Sequence, residues 1–475
     1  TEGQGLSAAT AAMTIGGRAA GTEGSIPVED PATAEVFATA PRCTVAQLGE
    51  AVAAARAAFG TWSATPVDTR RDYLRACGET LAAHRAELAE LLTREQGKPL
   101  AQSRAEVELS ARWFGLTAEL PLTTERLVDD ATARIDLTRV PHGVVAAITP
   151  FNYPIILAVC KLAPALLAGN TVVLKPSPAT PLSSLLMGEL LRRVLPPGAL
   201  NVVSGDADLG RTLVGHPDVA VVSFTGSVPV GRAIAAAAGM RHVILELGGN
   251  DPAIVLPGAD VGALAPRLFT LAMLNSGQFC AAIKRVYVHR GQRDELVDAL
   301  ASLAVEARFG NGLDPETQYG PLTTRAQLNR VAALVDSAVG AGARVAAGGA
   351  PLGGPGHFYP ATVVTELPAG SQLEQVEQFG PVIPVLAYDD PAEAVAAANA
   401  TEYGLGASVW GDPDAARALA TGIDAGTVWL NTHGDLRHDV PFGGVRSSGR
   451  GVEYGHLGLL EYTRVKVVNA ARGTG

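Results

Sequence analysis

Apolar residues recur at helical spacing in the N-terminal part of the sequence. Over residues 45–62 they lie mostly three, four or seven positions apart, which predicts an amphipathic helix. A second helix is predicted over residues 68–95, where Cys77 shares a face with several leucines and Gly97-Lys98-Pro99 ends the pattern. We therefore expect Cys77 to lie in a hydrophobic core.

A period of two replaces this spacing over residues 131–140, where Ile135 and Leu137 alternate with polar neighbours. The alternation predicts a strand with one exposed face. Residues 462–469 alternate in the same way. The two segments could pair and extend a sheet across the subunits of an oligomer.

Short, continuously apolar runs occupy the middle of the chain. They are residues 143–148, 171–174, 201–203, 219–222 and 242–245, and helix-like segments separate them at residues 156–167, 181–195, 208–215 and 229–238. Continuous apolar strands are typical of sheets that are buried on both faces. The alternation therefore predicts an α/β fold with a doubly wound, mostly parallel sheet.

A second set of alternating elements begins near residue 260. Helices are predicted over residues 260–275, 292–307, 324–340, 391–400 and 414–420, and strands over residues 285–289, 381–388, 407–410 and 427–431. This set indicates a second α/β domain.

The composition narrows the classes of function. The chain has 475 residues, 47% of them hydrophobic and 18% charged, as in folded proteins of several domains. Its net charge of -10 repels phosphate backbones, so we expect no nucleic-acid partner. The longest apolar stretch, residues 144–160, is interrupted by Pro150, Asn152 and Pro154, so no membrane insertion is expected. The first 30 residues show no export-signal pattern, and a cytoplasmic location is therefore expected.

The cysteines argue against a metal centre. There are four, Cys43, Cys77, Cys160 and Cys280, and they lie far apart, which fits neither a disulfide framework nor a zinc cluster. The histidines show no metal-binding spacing either. Cys280 follows a predicted helix and lies in a loop, where it could be structural or reactive.

Polar residues at the ends of the buried runs are candidates for chemistry, because ligands bind outside the carboxyl ends of parallel strands. Asn152 lies between two prolines, where its amide could donate to an oxyanion or satisfy a turn. Glu246 ends an apolar run, so burial should raise its pKa and suit it to act as a general base. Ser227 lies at a strand-to-helix turn that could bind a pyrophosphate or be a simple tight turn. Lys175 could bind ribose hydroxyls or be solvated.

Taken in this order, the motifs resemble those of the aldehyde dehydrogenase superfamily. The matching segments are Thr149-Pro-Phe-Asn-Tyr-Pro154, Leu174-Lys-Pro176, Phe224-Thr-Gly-Ser227, Glu246-Leu-Gly-Gly249, Gly277-Gln-Phe-Cys280, Gln378-Phe-Gly-Pro381 and Pro441-Phe-Gly-Gly444. The resemblance implies a Rossmann-like cofactor domain formed by residues 1–122 and 142–246. It also implies a catalytic domain over residues 247–447 and oligomerisation strands within residues 123–141 and 460–475.

The resemblance further implies the oxidation of an aldehyde to a carboxylic acid with a nicotinamide cofactor. Cys280 would attack the aldehyde, Asn152 and the Cys280 amide would hold the oxyanion of the thiohemiacetal, and Glu246 would activate water against the thioester. An acylating enzyme that uses coenzyme A is disfavoured, because Glu246 supplies a base for water. A non-catalytic binding relative and a cysteine esterase remain alternatives.

The same resemblance assigns residues to the cofactor. They are Ile148, Thr149, Pro150, Lys175, Ser177, Phe224, Gly226, Ser227, Leu247, Glu377 and Phe379. Pro178 stands where many NAD-preferring relatives carry a carboxylate, so a 2′-phosphate would not be repelled there. NAD is expected first because residues 177–180 include no arginine, and NADP remains open.

The substrate entrance implied by the resemblance is mainly apolar. It would include Tyr153, Leu157, Cys160, Phe279, Ala281, His433, Leu436 and Phe442. An aliphatic or aromatic aldehyde fits such a surface, whereas His433, Arg437 and His438 could instead contact the carboxylate of a semialdehyde. A homodimer or homotetramer is expected.

Overall fold

A computed structural model describes residues 11–472 of the chain. Residues 1–10 and 473–475 belong to the predicted ranges 1–122 and 460–475, and residues 1–10 also to the segment searched for an export signal. These parts of the predictions lie outside the described residues.

The N-terminal part combines short strands with four helices. The strands are β1 (Met13–Ile15), β2 (Arg18–Ala20), β3 (Ser25–Asp30) and β4 (Glu35–Pro41), and the helices are α1 (Val45–Ala64), α2 (Val67–Ala83), α3 (Arg85–Gln96) and α4 (Leu100–Ala118). The predicted single helix over residues 68–95 is wrong in one respect, because the backbone leaves helical geometry at His84 (φ -107°, ψ 18°). Cys77 is fully buried in the core, as predicted.

The remaining elements follow in alternation. From residue 125 to residue 246 they are β5 (Glu125–Asp129), β6 (Ala133–Pro141), β7 (Val144–Ile148), α5 (Pro154–Ala168), β8 (Thr171–Lys175), α6 (Leu182–Leu191), β9 (Leu200–Val202), α7 (Ala207–Gly215), β10 (Val219–Thr225), α8 (Val228–Ala237) and β11 (His242–Glu246). From residue 252 to residue 430 they are β12 (Pro252–Val255), α9 (Val261–Met273), β13 (Arg285–His289), α10 (Arg293–Glu306), α11 (Arg325–Gly340), β14 (Arg344–Ala347), β15 (Thr362–Thr365), α12 (Gln372–Gln375), β16 (Val382–Tyr388), α13 (Pro391–Asn399), β17 (Gly406–Trp410), α14 (Pro413–Ala420) and β18 (Thr427–Leu430). The chain continues with β19 (Gly449–Arg450), α15 (Gly455–Glu461) and β20 (Thr463–Ala471).

The first large sheet has the strand order β19-β11-β10-β7-β8-β9-β1-β2. Its central strands, β11, β10, β7, β8 and β9, are parallel, and β7 and β8 are buried along their whole length. This confirms the predicted doubly wound sheet. The strand order reverses between β7 and β10, so the crevice for a ligand lies beyond the carboxyl ends of these two strands.

The second large sheet has the order β14-β15-β16-β13-β12-β17-β18 and is parallel except for β14. It confirms the predicted second α/β unit. The loops before its strands carry Cys280, which precedes β13, and Glu377, which precedes β16. These loops are hydrogen-bonded to the loops that follow β7 and β11 of the first sheet. The carboxyl ends of one sheet therefore face the amino ends of the other.

A separate three-stranded sheet has the order β20-β6-β5. Strand β20 pairs antiparallel with β6 from Thr463 opposite Pro141 to Ala471 opposite Ala133, which confirms the predicted pairing of the two alternating segments. Extension of this sheet across subunits stays a prediction. Within residues 11–472, no helix is both long and apolar enough to cross a membrane.

Candidate active site

Three loops bring Asn152, Glu246 and Cys280 together where the two large sheets face each other. Asn152 follows β7, and its side-chain Nδ2 donates to the carbonyl oxygen of Gln278 over 3.0 Å. The thiol of Cys280 and the carboxyl group of Glu246, which ends β11, lie close enough for each to shift the pKa of the other. The three side chains that sequence patterns selected thus share one site.

The loop that carries Cys280 has a constrained backbone. Asn275 and Ser276 adopt left-handed conformations (φ 51° and 55°), and Gly277 follows with φ 73°. Left-handed conformations are costly for residues other than glycine, so the surroundings must hold them in place. A Cβ atom at Gly277 would lie 2.1 Å from the carbonyl oxygen of Gly380, so the two loops approach each other too closely for a side chain.

Cys280 differs from the other cysteines in its surroundings. It is partly exposed, whereas Cys43, Cys77 and Cys160 are buried. Burial of its sulfur, followed by the nearby Glu246 carboxyl, raises the pKa of the Cys280 thiol well above its ordinary value. The resting group is therefore a neutral thiol, which must lose its proton before it can act as a nucleophile.

Glu246 is a carboxyl group held in an apolar environment. The residue is 3% exposed, and neither of its carboxyl oxygens has a hydrogen-bond partner among the described residues. Burial and then the charge of Glu453 raise the pKa of Glu246 to about 8, while the Cys280 thiol and Lys161 oppose the rise. A carboxyl group of this kind can both accept and release a proton near neutral pH.

A buried ion pair near Glu246, formed by Lys161 and Glu453, was not predicted from the sequence. Lys161 lies in the fully buried helix α5, and its Nζ donates to the Thr225 hydroxyl over 2.8 Å and to a carboxyl oxygen of Glu453. Both side chains are almost completely buried. A lysine in an otherwise apolar helix was the available signal, but its partner lies 292 positions away.

Glu377 faces the same region from the loop before β16. Its Oε1 accepts the Gly249 amide over 3.2 Å and lies 3.5 Å from Nζ of Lys284. Burial raises the pKa of Glu377, and Lys284 opposes that rise. A Cβ atom at Gly248 would lie 2.4 Å from Oε2 of Glu377, so the carboxyl group packs directly against the backbone there.

The first sheet offers a pyrophosphate site at the start of α8. Ser227 is the N-cap, and its side chain makes no capping bond, so the Val228 and Val230 amides of the first turn are left without a side-chain partner, while Pro229 has no N–H. A Cβ atom at Gly226 would lie 2.5 Å from Cζ of Phe224, and one at Gly231 would lie 2.4 Å from Cδ2 of Leu247. The two glycines thus leave room for the Phe224 and Leu247 side chains beside the start of α8. A helix N-terminus of this kind suits the pyrophosphate of a dinucleotide.

The ends of β7 and β8 add polar groups to this crevice. Lys175 is 4% exposed, and burial lowers its pKa to about 8. The Thr149 hydroxyl is buried without a hydrogen-bond partner among the described residues. Ile148 ends β7 and precedes Thr149 and Pro150. Ser177 instead accepts the Ala179 amide over 3.2 Å within its own turn. The donor set suits the hydroxyl and phosphate oxygens of a nucleotide.

Aromatic rings surround the approach to Cys280. The Tyr153 and Phe279 ring centroids lie 5.5 Å apart at a steep angle, and Phe442 stacks on Tyr454 with 5.9 Å between centroids. Leu157, which is 7% exposed, lies on α5, and Ala281 is fully buried beside Cys280. The predicted entrance is apolar in these residues.

His433 occupies a different position from the one expected at an open entrance. Its side chain is fully buried, its Nδ1 lies 2.9 Å from the Ser408 hydroxyl, and its Nε2 lies 3.7 Å from Asp251. Arg437 pairs with Asp439. Neither residue presents an unengaged charge to a substrate carboxylate.

No group of three or more His, Cys, Asp or Glu side chains in residues 11–472 has a metal-binding arrangement.

Comparisons with known proteins show the family to which the chain is similar. The profile of the aldehyde dehydrogenase family matches residues 18–468. The chain is 38% identical to the betaine aldehyde dehydrogenase of Cereibacter sphaeroides over 95% of each chain. It is also 38% identical to the phenylacetaldehyde dehydrogenase of Pseudomonas fluorescens, over 96% of this chain and 94% of that one.

Solved structures show the same fold. An NAD+ complex of an aldehyde dehydrogenase from Bacillus cereus has a TM-score of 0.95 and 33% identity, and the match covers 97% of this chain and 96% of that chain. An NADP-dependent enzyme from E. coli has a TM-score of 0.94 and 32% identity over 97% and 98% of the two chains.

Proposed function

The chain belongs to the aldehyde dehydrogenase family, and from this membership we propose that it oxidises an aldehyde to a carboxylic acid at the Asn152, Glu246 and Cys280 site. The observation that carries the proposal is the hydrogen bond that fixes the Asn152 side-chain amide against the Cys280 loop, with the buried Glu246 carboxyl group close to the thiol. A nucleophile, a proton acceptor and an oxyanion donor are the groups that such an oxidation requires.

The first step is nucleophilic addition by Cys280. Glu246 in its ionised form accepts the thiol proton, and the sulfur forms a bond to the carbonyl carbon of the aldehyde. The carbonyl electron pair moves to oxygen. Nδ2 of Asn152 carries two hydrogens, so its bond to Gln278 leaves one for that oxyanion, together with the Cys280 amide. The product is a thiohemiacetal.

NAD or NADP, when bound, supplies the acceptor for the hydride that the aldehyde carbon loses. Lys175, Ser227 with the α8 amides and Glu377 would hold the nucleotide, as their positions in the loops support. Phe379, whose ring centroid lies 5.9 Å from that of Phe151 and 5.4 Å from Nζ of Lys284, would contact the nicotinamide ring. Gly226 and Leu247 shape the wall where α8 begins. Pro178 leaves room for the 2′-phosphate of NADP, and we propose NAD as the preferred form.

The last step is hydrolysis of the acyl group on Cys280. Glu246 first releases the thiol proton to solvent. It then takes a proton from water, the water oxygen attacks the thioester carbon, and the carbon–sulfur bond breaks as the leaving sulfur receives that proton back from Glu246. The acid leaves, and Cys280 returns to its thiol. The raised pKa of Glu246, about 8, makes its ionised form a stronger base than an ordinary carboxylate.

A panel of aldehydes assayed with NAD and NADP in parallel tests this function and identifies its substrate. The panel should include betaine aldehyde, phenylacetaldehyde, a straight-chain aldehyde and a semialdehyde. We expect cofactor reduction with at least one apolar aldehyde. In the Cys280→Ala variant, reduction should stop while NAD still raises the melting temperature. Normal turnover by that variant would refute the proposal.

We also propose that β20 joins subunits into a homodimer or homotetramer. The strand is an edge of its sheet, and Val465, Val467 and Val468 are about half exposed, at 49%, 53% and 49%. Unpaired edges with apolar side chains favour pairing with another chain. The Val467→Lys variant should have a smaller mass by light scattering, and an unchanged mass would contradict this assignment.

A further inference from the structure

A second buried ion pair, Lys98 with Glu106, is hydrogen-bonded to the backbone on both sides of Tyr153. Lys98 follows α3, and its side chain is fully buried, as is that of Glu106 in α4. The Nζ of Lys98 lies 2.6 Å from Oε2 of Glu106. In the sequence, Lys98 appeared only as part of a helix stop, and α4 was not predicted.

Lys98 contacts the loop directly. Its Nζ donates to the backbone carbonyl oxygen of Asn152 over 2.7 Å. The same ammonium group lies 3.7 Å from the ring centroid of Tyr153, which is within the range of a cation–π interaction. Lys98 therefore contacts two residues, Asn152 and Tyr153, of the loop between β7 and α5.

Glu106 holds the other side of this turn. Its Oε1 accepts the backbone amides of Ile155 over 3.0 Å and Ile156 over 3.3 Å. These are amides of the first turn of α5, which have no partner within the helix. Lys98 thus donates to the carbonyl of Asn152, and Glu106 accepts the amides that follow. A charge-assisted hydrogen bond joins Lys98 to Glu106.

The nucleophile loop shares the same anchor. Nδ2 of Asn275 also donates to the carbonyl oxygen of Asn152, over 3.0 Å. Asn275 is one of the left-handed residues before Cys280. Two donors, Lys98 and Asn275, therefore hold the backbone carbonyl of Asn152, and Asn275 ties it to the Cys280 loop. Loss of either should let the side-chain amide shift relative to the sulfur.

The desolvation cost of the buried Lys98–Glu106 pair indicates that the pair serves to fix the position of the Asn152 loop. Removing two charges from water is expensive, and apolar residues of the same volume are often equally stable. A charged donor and acceptor, however, fix positions more firmly than neutral groups do. We propose that Lys98 and Glu106 are positioning residues that aim the Asn152 side chain at the oxyanion, an inference that rests on the proposed function.

Single-turnover formation of NADH tests this assignment in Lys98→Met, Asn152→Ala and the double variant. If Lys98 acts through Asn152, Lys98→Met should slow the burst by about 10- to 100-fold, because a shift of about 1 Å can cost a factor of this size. The KM for aldehyde and the affinity for NAD should change less than about 3-fold. In the Asn152→Ala background the same substitution should change the rate less than about 2-fold.

Two further variants guard against a merely structural effect. Glu106→Gln keeps an acceptor oxygen for the α5 amides but loses the charge, and it replaces Lys98→Met if that protein does not fold. Glu95→Gln is the matched control: Glu95 is equally buried and accepts the Leu182 and Ser183 amides at the start of α6. We expect Glu95→Gln to retain the wild-type burst rate.

The outcomes separate this inference from the function on which it rests. Wild-type burst rates in folded Lys98→Met and Glu106→Gln, losses that multiply with Asn152→Ala, or an equal loss in Glu95→Gln would each overturn the positioning role. A wild-type rate in Asn152→Ala would instead overturn the oxyanion role itself, and the positioning role with it. The inference is supported if Lys98→Met and Glu106→Gln slow the burst when Asn152 is present and have little further effect in Asn152→Ala.

Discussion

The side-chain Nδ2 of Asn152 lies 3.0 Å from the carbonyl oxygen of Gln278, two residues before Cys280. This bond joins the loop after β7 of the first sheet to the loop before β13 of the second. The proposed oxyanion donor and the proposed nucleophile are therefore held in one rigid unit. The Oδ1 atom of Asn152 is buried and has no hydrogen-bond partner among the described residues.

Replacing Asn152 with alanine should slow the reaction and leave cofactor binding intact. The change removes one donor to the oxyanion, and the loss of such a donor costs about 10²- to 10³-fold in kcat. Stopped-flow measurement of the NADH burst gives the rate, and titration with NAD gives the affinity. A loss smaller than about 3-fold would show that the amide does not stabilise the transition state.

Glu246→Gln should separate the two halves of the reaction. The glutamine cannot take a proton from water, so hydrolysis of the acyl group on Cys280 should fall by about 10²-fold or more. We expect a slower burst of NADH, close to one equivalent per site, followed by stalled turnover. Mass spectrometry of the quenched protein should show the acyl group on Cys280. Steady turnover at the wild-type rate would exclude Glu246 as the base.

The pH dependence of stability should change in the same variant. Burial raises the pKa of Glu246 in the folded state to about 8, from an ordinary value of 4.5. The folded protein therefore holds this proton more tightly than the unfolded chain does. The free energy of unfolding consequently falls as the pH rises from about 4.5 to about 8. Glutamine stays neutral throughout.

The melting temperature of Glu246→Gln relative to the wild type should consequently rise between pH 5 and pH 8 and level off above that range. A relative gain of about 2 °C or more is expected. Differential scanning fluorimetry over this range measures it. A constant difference across the range would contradict the burial effect.

Glu453 should tune the pH profile of activity. Its charge is the second cause, after burial, of the raised pKa of Glu246. In Glu453→Gln the pKa of Glu246 should fall, so the ascending limb of kcat/KM should move to lower pH. Glu374→Gln is a suitable control, because Glu374 is also buried but bonds to Tyr287 instead. A limb that stays in place, or that moves equally in the control, would contradict this coupling.

The buried strands could be predicted from the sequence, whereas helix α4 could not. Strands such as β7 and β8 are buried on both faces, so their continuous apolar residues are visible in the sequence. Helix α4 was missed because its buried face includes Ser103, Glu106 and Ser110, which blur the apolar period. Ser103 accepts the Thr93 hydroxyl over 2.8 Å, a tertiary contact that satisfies a buried polar group.

The two buried ion pairs of the site could not be predicted from apolar periodicity or local motifs. Lys161 meets Glu453 only because α5 and the loop before α15 pack together, and no local pattern encodes that contact. Lys98 lies close to Glu106 in the chain, but its bond to Asn152 spans 54 positions. The motifs located the reacting groups, whereas the groups that hold them depend on the fold.

The backbone contact at Gly277 gives a stringent test of how closely the nucleophile loop is constrained. Alanine at Gly277 would place its Cβ atom 2.1 Å from the carbonyl oxygen of Gly380, and no side-chain rotation relieves a clash with backbone. Gly239→Ala is a matched control, since Gly239 also has a positive φ, of 59°, but its Cβ would meet nothing within 4 Å. Both variants incur the strain of a left-handed alanine.

Only Gly277→Ala must displace the loop. We expect it to lower kcat by about 10²-fold or more and to change the rate at which iodoacetamide alkylates Cys280, because the sulfur moves relative to Glu246 and Asn152. Gly239→Ala should lose some stability but keep its activity. Equal activities in the two variants would show that the approach of Gly277 to Gly380 does not position the nucleophile.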